Sequence, residues 1–140
     1  MGDYSASQGI DYATNDYPGD MYHYARFRIA MAARSAGIDA VDGPYLGGLT
    51  DVEGYKIEAL KAKSLGMVGK WAIHPAQIAP ALEVFSPKPE DVARARKWQA
   101  AYEEAEAKGL GAAQVDGVMI DVAVLRIVRN TLDAAELYGL

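Results

Sequence analysis

The sequence predicts an α/β fold made of parallel strand–helix units, followed by an α-rich segment. Two short apolar strands alternate with helices and end in Gly, Pro or Asp, which is typical of βα units. Only two such strands are visible in the 140 residues, whereas parallel strands normally lie in larger, fully covered sheets. We therefore expect these strands to be part of a larger sheet that begins upstream. The length is also too short for a closed eight-stranded α/β barrel, which needs about 250 residues.

Composition excludes several classes of function. The net charge is −5 with 51% hydrophobic residues, which is typical of a soluble globular domain and argues against binding to a nucleic-acid backbone. The absence of cysteine excludes disulfides, thiolate metal sites and a cysteine nucleophile. No apolar run approaches the length of a membrane span, and the first residues lack the features of a secretory signal. We expect a cytoplasmic protein.

The first half begins with a predicted loop and a helix. Residues 1–20 are rich in Gly, Asp, Asn and Tyr and predict a loop. A helix is expected over Met21–Ala36, with Asp20 as its N-cap and Gly37 as its end. Its buried stripe is predicted to contain Tyr22, Tyr24, Phe27, Ile29 and Met31, with Arg26 and Arg34 facing water.

The remaining elements follow from apolar runs, capping patterns and turn residues. The capping-box pattern Thr50–Glu53 begins a helix that ends at Leu65 before Gly66, and the dipeptide Asp116-Gly117 is a strong hairpin signal. The predicted strands are Ile38–Val41, Met67–Ile73, Ala113–Val115 and Val118–Ile120, and the further helices are Pro75–Phe85, Pro89–Lys108 and Val122–Leu137.

Four segments in order carry a resemblance to a known family. They are Gly2–Ser7, Val41–Tyr45, Gly69–Pro75 and Gly117–Asp121. Together they resemble the C-terminal part of the malyl-CoA lyase and citrate lyase β-subunit family, within the aldolase superfamily of divalent-metal barrels. The resemblance covers essentially the whole chain, and Trp71 is more similar to the malyl-CoA lyases.

The resemblance implies an architecture. Members of this family are TIM (β/α)8 barrels with an α-rich C-terminal extension, assembled as trimers or hexamers. The chain is therefore expected to be the C-terminal portion of such a barrel. Residues 1–75 would supply the last βα units, and residues 76–140 the helical extension with a short hairpin. About the first half of the family's chain would then be absent.

The resemblance also implies site residues. Asp3 would bind Mg²⁺ (or Mn²⁺) together with an upstream Glu that this sequence lacks, and Gly2, Asp3, Ile73 and His74 would contact the CoA thioester and the 2-oxo acid. Asp121 would reach a neighbouring subunit's active site and handle a proton. From the residues alone, each has a structural alternative: Asp3 an acidic loop residue, Asp121 a helix N-cap, and His74 the end of a strand.

The implied activity is reversible, Mg-dependent carbon–carbon cleavage of a 3-hydroxyacyl-CoA, such as malyl-CoA to acetyl-CoA and glyoxylate. One alternative is citryl-CoA cleavage, as in a citrate lyase β subunit. The other is a non-catalytic module that self-associates or contacts CoA and is inert alone. Asp42–Pro44 would lie at the same barrel mouth, and Lys70 is expected to pair with a carboxylate.

Overall fold

The computed structural model describes residues 2–11 and 17–140, and this part of the chain contains six α-helices and two pairs of short strands. The elements are α1 (Gly2–Gln8), α2 (His23–Ser35), β1 (Val41–Asp42), α3 (Val52–Ser64), β2 (Gly69–Lys70), α4 (Ile78–Phe85), α5 (Pro89–Ala107), β3 (Ala113–Val115), β4 (Val118–Ile120) and α6 (Val122–Leu137). The chain divides into two compact units, the first ending at Phe85 and the second spanning Ser86–Leu140.

The first unit contains the predicted parallel pair. β1 and β2 pair in parallel, with Val41 opposite Gly69 and Asp42 opposite Lys70, and α3 is the helix between them. This βαβ arrangement confirms the α/β prediction. Both strands are shorter than predicted, although the Val68 amide still donates to Ala40 and the Trp71 amide to Asp42 beyond the paired residues.

The N-terminal loop prediction is wrong over residues 2–8, which form α1. The Ser5 hydroxyl is fully buried and lies 2.7 Å from the Tyr22 hydroxyl. This long-range contact stabilises a helix that is too short to be stable by itself. Residues 12–16 of the predicted loop lie outside the described residues.

The buried face of α2 also differs from the prediction. Tyr22, just before the helix, is buried as expected, but Arg26 is only 2% exposed and lies on the buried face with Ala30 and Ala33. Four side chains that were predicted to be buried are instead more than two-fifths exposed: Tyr24, Phe27, Ile29 and Met31. The small side chains of Ala30 and Ala33 let α2 approach Ala40, Ala62 and Met67 closely. The positive charge of the buried Arg26 guanidinium is compensated by neighbouring carboxylates.

The helix ends follow the sequence, with two corrections. Asp20 is not the N-cap of α2, because Tyr22 occupies that position, although an Asp20 carboxylate oxygen accepts from the Tyr22 amide at 2.9 Å. Asp51, not Thr50, caps α3 and accepts from the Gly54 amide. Past the C-termini, Gly37 and Gly66 adopt φ of +68° and +87°, the left-handed conformation that glycine allows.

The second unit consists of α5, the β3–β4 hairpin and α6. Asp116 and Gly117 both have positive φ, 51° and 81°, as a type I′ turn requires. The core of this unit contains Ala95, Tyr102, Val115, Ile120, Leu125 and Val128. The predicted hairpin, Pro89 at the first turn of α5 and Asp121 as the N-cap of α6 are all confirmed. No helix in the described ranges is both long and apolar enough to span a membrane.

Candidate functional site

A cluster of buried charged side chains lies at the carboxyl ends of β1 and β2. Lys70 Nζ lies 2.7 Å from Asp42 Oδ2 and 3.1 Å from Glu58 Oε2, and Arg26 Nε donates to Asp42 Oδ1 at 3.1 Å. Asp42 and Lys70 are opposite each other in the strand register, so both side chains leave the same face of the sheet. The prediction that Lys70 pairs with a carboxylate is confirmed.

Arg26 joins the same network from α2. Its guanidinium contacts Asp20 at 3.0 Å and Glu58 at 3.1 Å besides Asp42. Burial alone would lower the pKa of Arg26, but the hydrogen bond to Asp42 and the charges of Asp42, Glu58 and Asp20 raise it overall. Arg26 and Lys70 therefore face the carboxylates of Asp20, Asp42 and Glu58, and this pairing compensates the desolvation of the buried charges.

The network also holds the backbone that leaves each strand. Lys70 Nζ donates to the Gly43 carbonyl at 2.9 Å, just after β1. The Tyr55 hydroxyl, on fully buried Tyr55, lies 3.3 Å from the carbonyl oxygens of both Lys70 and Trp71. Burial, followed by the charge of Asp42, raises the pKa of Tyr55, so the phenol is protonated and can donate. The two strand ends are thus fixed side by side.

A tight turn follows β2 and contains two of the predicted binding residues. Gln77 Oε1 accepts from the Ile73 amide at 2.9 Å, while the Gln77 amide donates to the His74 carbonyl at 2.9 Å. His74 Nδ1 accepts from the Ala76 amide at 3.2 Å, capping the 3-10 turn Pro75–Gln77. An accepting Nδ1 carries no proton, so the neutral ring carries it on Nε2.

Gln77 is nearly fully buried, and its Nε2 is the one buried side-chain polar atom without a hydrogen-bond partner among the described residues. An unsatisfied buried donor of this kind costs about 1–3 kcal/mol. The Gln77 amide therefore stabilises the turn through Oε1 at the expense of an unpaired NH₂ group. Such exceptions are rare in folded proteins and require an explanation.

The turn presents apolar side chains to solvent. Trp71 is 61% and Ile73 53% exposed, although the backbone beneath them is bonded to Tyr55 and Gln77. The predicted binding residues Ile73 and His74 are therefore on an ordered segment, and Ile73 is accessible.

Asp3 and Gly2 lie in the first turn of α1 and not after a strand. Asp3 is exposed. α1 is connected to the charge network, because Ser5 contacts Tyr22 and the Arg26 guanidinium lies 5.6 Å from the centre of the Tyr22 ring.

The donor set for a magnesium ion is incomplete in the described residues. Across residues 2–11 and 17–140, no group of three or more His, Asp or Glu side chains could hold a metal ion. Asp3 supplies a single exposed carboxylate, and the octahedral coordination of Mg²⁺ requires further oxygen ligands from other groups. These residues therefore do not form a magnesium site by themselves.

Asp121 lies in the second unit, at the start of α6. Its Oδ1 accepts from the amides of Ala123 and Val124 at 2.9 and 3.0 Å. This is the N-cap predicted from the sequence. Because one oxygen makes both capping bonds, Oδ2 has no hydrogen-bond partner within the described part of the chain.

Sequence reasoning missed three residues of this site: Arg26, Glu58 and Gln77. The spacing of Arg26, Ala30 and Ala33 is the signal that could have placed Arg26 on the buried face of α2, because small residues at such spacing indicate close packing. Glu58 and Gln77 carry no comparable local signal, since their partners are remote in sequence or depend on the turn.

Sequence comparison finds relatives that act on CoA thioesters. L-malyl-CoA/β-methylmalyl-CoA lyase of Rhodobacter capsulatus is 46% identical over 118 residues, which is 84% of this chain and 37% of that enzyme. A (3S)-malyl-CoA thioesterase of Cereibacter sphaeroides is 38% identical over 138 residues, which is 91% of this chain and 48% of that enzyme. The chain thus spans less than half the length of these relatives. No protein-family model matches it.

Structural comparison agrees with this assignment. CitE from Mycobacterium tuberculosis, crystallised with magnesium, acetoacetate and coenzyme A, matches 94% of this chain and 48% of its own with a TM-score of 0.74 and 30% identity. A citrate lyase from Burkholderia xenovorans shares the fold, with a TM-score of 0.70 at 24% identity, over 89% of this chain and 37% of that one. These findings identify the chain as a relative of the C-terminal part of the malyl-CoA lyase and citrate lyase β-subunit family.

Proposed function

We propose that this chain supplies the C-terminal part of a carbon–carbon lyase that reversibly cleaves a 3-hydroxyacyl-CoA, with malyl-CoA giving acetyl-CoA and glyoxylate. The observation that carries the proposal is the 46% identity to the Rhodobacter capsulatus malyl-CoA lyase over 84% of the chain. Residues 1–75 would form the last βα units of a TIM barrel and residues 76–140 its helical extension, in a cytoplasmic homo-oligomer.

The ends of β1 and β2 support a binding role. Active sites of barrel enzymes lie at the carboxyl ends of the strands, which is where Gly43 is bonded to Lys70 and Ile73 to Gln77. In the proposed complex, Gly2, Ile73 and His74 contact the CoA thioester. Among the polar groups of the turn, the Nε2–H of His74 is a donor that can meet a carbonyl or phosphate oxygen.

Asp121 is proposed to handle the proton. In the cleavage direction the 3-hydroxyl group would lose its proton to solvent as the carbon–carbon bond breaks, and the electron pair of that bond would form the acetyl-CoA enolate. The Asp121 carboxyl group would then protonate the enolate carbon, and in condensation its carboxylate would remove a proton from the acetyl-CoA methyl group. Oδ2 is the oxygen for this step, because Oδ1 accepts two helix amides. The proposal places Asp121 of one subunit at the active site of a neighbour.

Magnesium dependence is part of the proposal and is supported by the magnesium in the CitE crystal. Asp3 would contribute one carboxylate and also contact the 2-oxo acid. The other ligands would come from outside the described residues, so we assign no reaction step to the ion on the basis of this chain.

Complementation tests the proposal. The 140-residue chain is assayed with malyl-CoA and Mg²⁺ alone, and after co-expression with the N-terminal segment of the Rhodobacter capsulatus lyase that it does not match. We expect no glyoxylate from either piece alone and equal amounts of glyoxylate and acetyl-CoA from the pair. The matched control is the same pair carrying Asp121→Asn.

Three other outcomes would contradict parts of the proposal. Cleavage by the chain alone would contradict an incomplete active site. Cleavage of citryl-CoA but not malyl-CoA would assign the citrate lyase alternative. A folded, CoA-binding but inactive pair would indicate the non-catalytic module.

A thioesterase is the second candidate, because the (3S)-malyl-CoA thioesterase matches 91% of the chain at 38% identity. Thioester hydrolysis releases malate and free CoA thiol, whereas carbon–carbon cleavage leaves the thioester intact in acetyl-CoA. A thiol reagent in the complementation assay separates the two reactions. If CoA thiol is released in proportion to malate and no glyoxylate is formed, the proposed activity is that of a thioesterase and not of a lyase.

A further inference from the structure

We infer that Gln77 is a positioning residue, which sets the conformation of the segment Trp71–His74 for the CoA thioester without touching the ligand. The inference rests on the proposed function, in which Ile73 and His74 contact that ligand. Gln77 itself is 1% exposed, so it acts only through the backbone that it holds.

The first argument is geometric. The Gln77 side chain accepts from the Ile73 amide at 2.9 Å, and the Gln77 backbone amide donates to the His74 carbonyl at 2.9 Å. One residue therefore holds the two peptide groups that flank the Ile73–His74 peptide, namely Ala72–Ile73 and His74–Pro75. The hydrogen bond to buried Gln77 turns the amide of Ile73 toward the protein interior. The same hydrogen bond sets the direction of the exposed Ile73 side chain.

The second argument concerns the cost of this side chain. Gln77 Nε2 is buried without a partner among the described residues, so the amide group destabilises the fold at one atom while it orders the turn at the other. A methionine of similar length fills the same space without an unpaired donor. A residue present only for packing would not require this donor, whereas a residue that holds the Ile73 amide requires the acceptor oxygen.

Two substitutions of Gln77 distinguish the contribution of its acceptor oxygen from the contribution of its side-chain packing. Gln77→Met removes both polar atoms, and Gln77→Glu keeps an acceptor oxygen, because a carboxyl group accepts from an amide in either protonation state. Gln99→Met is the control, since Gln99 is a half-buried residue of α5 whose side-chain amide donates to exposed Glu103. Amide hydrogen exchange of Ile73 is measured in the 140-residue chain, and kcat and KM for malyl-CoA in the complemented enzyme.

We expect Gln77→Met to accelerate exchange at Ile73 by at least about tenfold and to raise KM about tenfold at unchanged kcat, because contacts away from the reacting atoms act in both ground and transition states. The urea midpoint stays within error of the parent chain. Gln77→Glu restores slow exchange and the parent KM, and Gln99→Met changes neither quantity.

Four results would overturn the inference. Unchanged exchange at Ile73 in Gln77→Met would show that the amide is not held by Gln77. An unchanged KM in an active complemented enzyme would refute the positioning role while leaving the proposed function intact. An inactive parent enzyme would refute the proposed function, and the positioning role with it. A fall in the urea midpoint that matches the loss of activity, and that Gln77→Glu does not reverse, would make the role merely structural.

Discussion

At the scale of single residues, Asp121 combines a helix cap with an oxygen that is available for chemistry. Asn is as good an N-cap as Asp, whereas Ala is much poorer. We predict that Asp121→Asn leaves the free energy of unfolding almost unchanged and that Asp121→Ala lowers it by about 1 kcal/mol. Urea unfolding of both variants checks this difference.

The same pair of variants tests the proposed proton transfer. In the complemented enzyme Asp121→Asn should abolish turnover while leaving the affinity for Mg²⁺ intact, because the amide cannot exchange a proton. Turnover at the parent rate in the Asn variant would remove Asp121 from the mechanism and leave it as a cap alone.

Two substitutions of His74 distinguish the roles of its ring nitrogens Nδ1 and Nε2. Asn places an acceptor near the position of Nδ1, which caps the Ala76 amide, while Gln places a donor near Nε2. We predict that His74→Gln keeps the KM for malyl-CoA within about threefold and that His74→Asn raises it about tenfold, which corresponds to one lost hydrogen bond. Nitrogen-15 NMR of the chain should show the proton on Nε2. The opposite order of the two variants would contradict a contact through Nε2.

Tyr45 and Asp51 predict how stability depends on pH. The Tyr45 hydroxyl donates to Asp51 Oδ2 at 2.6 Å, and this bond, followed by burial and nearby carboxylate charge, raises the pKa of Tyr45 to about 12. Because the folded pKa lies above the ordinary 10.0, the stabilisation is complete below pH 10 and is lost as the pH rises toward 12. The hydrogen bond from Tyr45, followed by that from the Gly54 amide, lowers the pKa of Asp51, so its contribution is lost as the pH falls below about 4.

Tyr45→Phe is expected to remove the alkaline effect and to weaken the acid one, because the Gly54 amide still donates to Asp51. Ultraviolet titration of the parent chain minus that of the variant isolates one phenol with a pKa near 12. Denaturation at several pH values shows a larger loss of stability in alkali for the parent, since Tyr55 contributes to this loss in both proteins. A difference spectrum that titrates near pH 10 would show that the bond to Asp51 does not persist in solution.

At the scale of secondary-structure elements, burial decides what an ion pair contributes. Lys70–Asp42 and Lys97–Asp116 have the same N–O distance of 2.7 Å, but the Lys70 side chain is fully buried whereas that of Lys97 is 57% exposed. Breaking a buried pair leaves an uncompensated charge and costs about 3–5 kcal/mol, while an exposed pair contributes about 0–1 kcal/mol. We predict losses in these ranges for Lys70→Met and Lys97→Met, measured by urea unfolding. Equal losses would show that the charge network is hydrated in solution.

Element positions were more predictable than element faces. Glycines, Pro89 and the Asp116-Gly117 dipeptide act locally on the backbone, so the helix ends and the hairpin followed from the sequence. The buried face of α2 could not be predicted from the sequence. Arg26 can lie on that face only because the carboxylates of Asp20, Asp42 and Glu58 pair with its guanidinium. The helix α1 was missed because a contact with Tyr22, remote in sequence, stabilises it.

At the scale of the whole molecule, the two units have separate cores. The first unit contains the clusters around Ala62 and Tyr55, and the second the cluster around Ile120. Substitutions that act in different cores should add, usually within about 0.3–0.5 kcal/mol. We predict this additivity for Lys70→Met combined with Ile120→Ala, where the latter alone costs about 2–5 kcal/mol. A coupling above about 1 kcal/mol would show that the two sites are not independent.

The sequence by itself determined the parallel βα units, the hairpin, the cap at Asp121 and the family relationship, because these depend on local backbone preferences and on motifs in fixed order. Only the tertiary structure decided which side chains meet behind the strand ends: Arg26, Glu58 and Lys70 around Asp42, and Gln77 beneath Ile73. The physical reason is that a buried charge or amide is tolerated only where remote groups compensate it, and those groups come together only when the chain is folded.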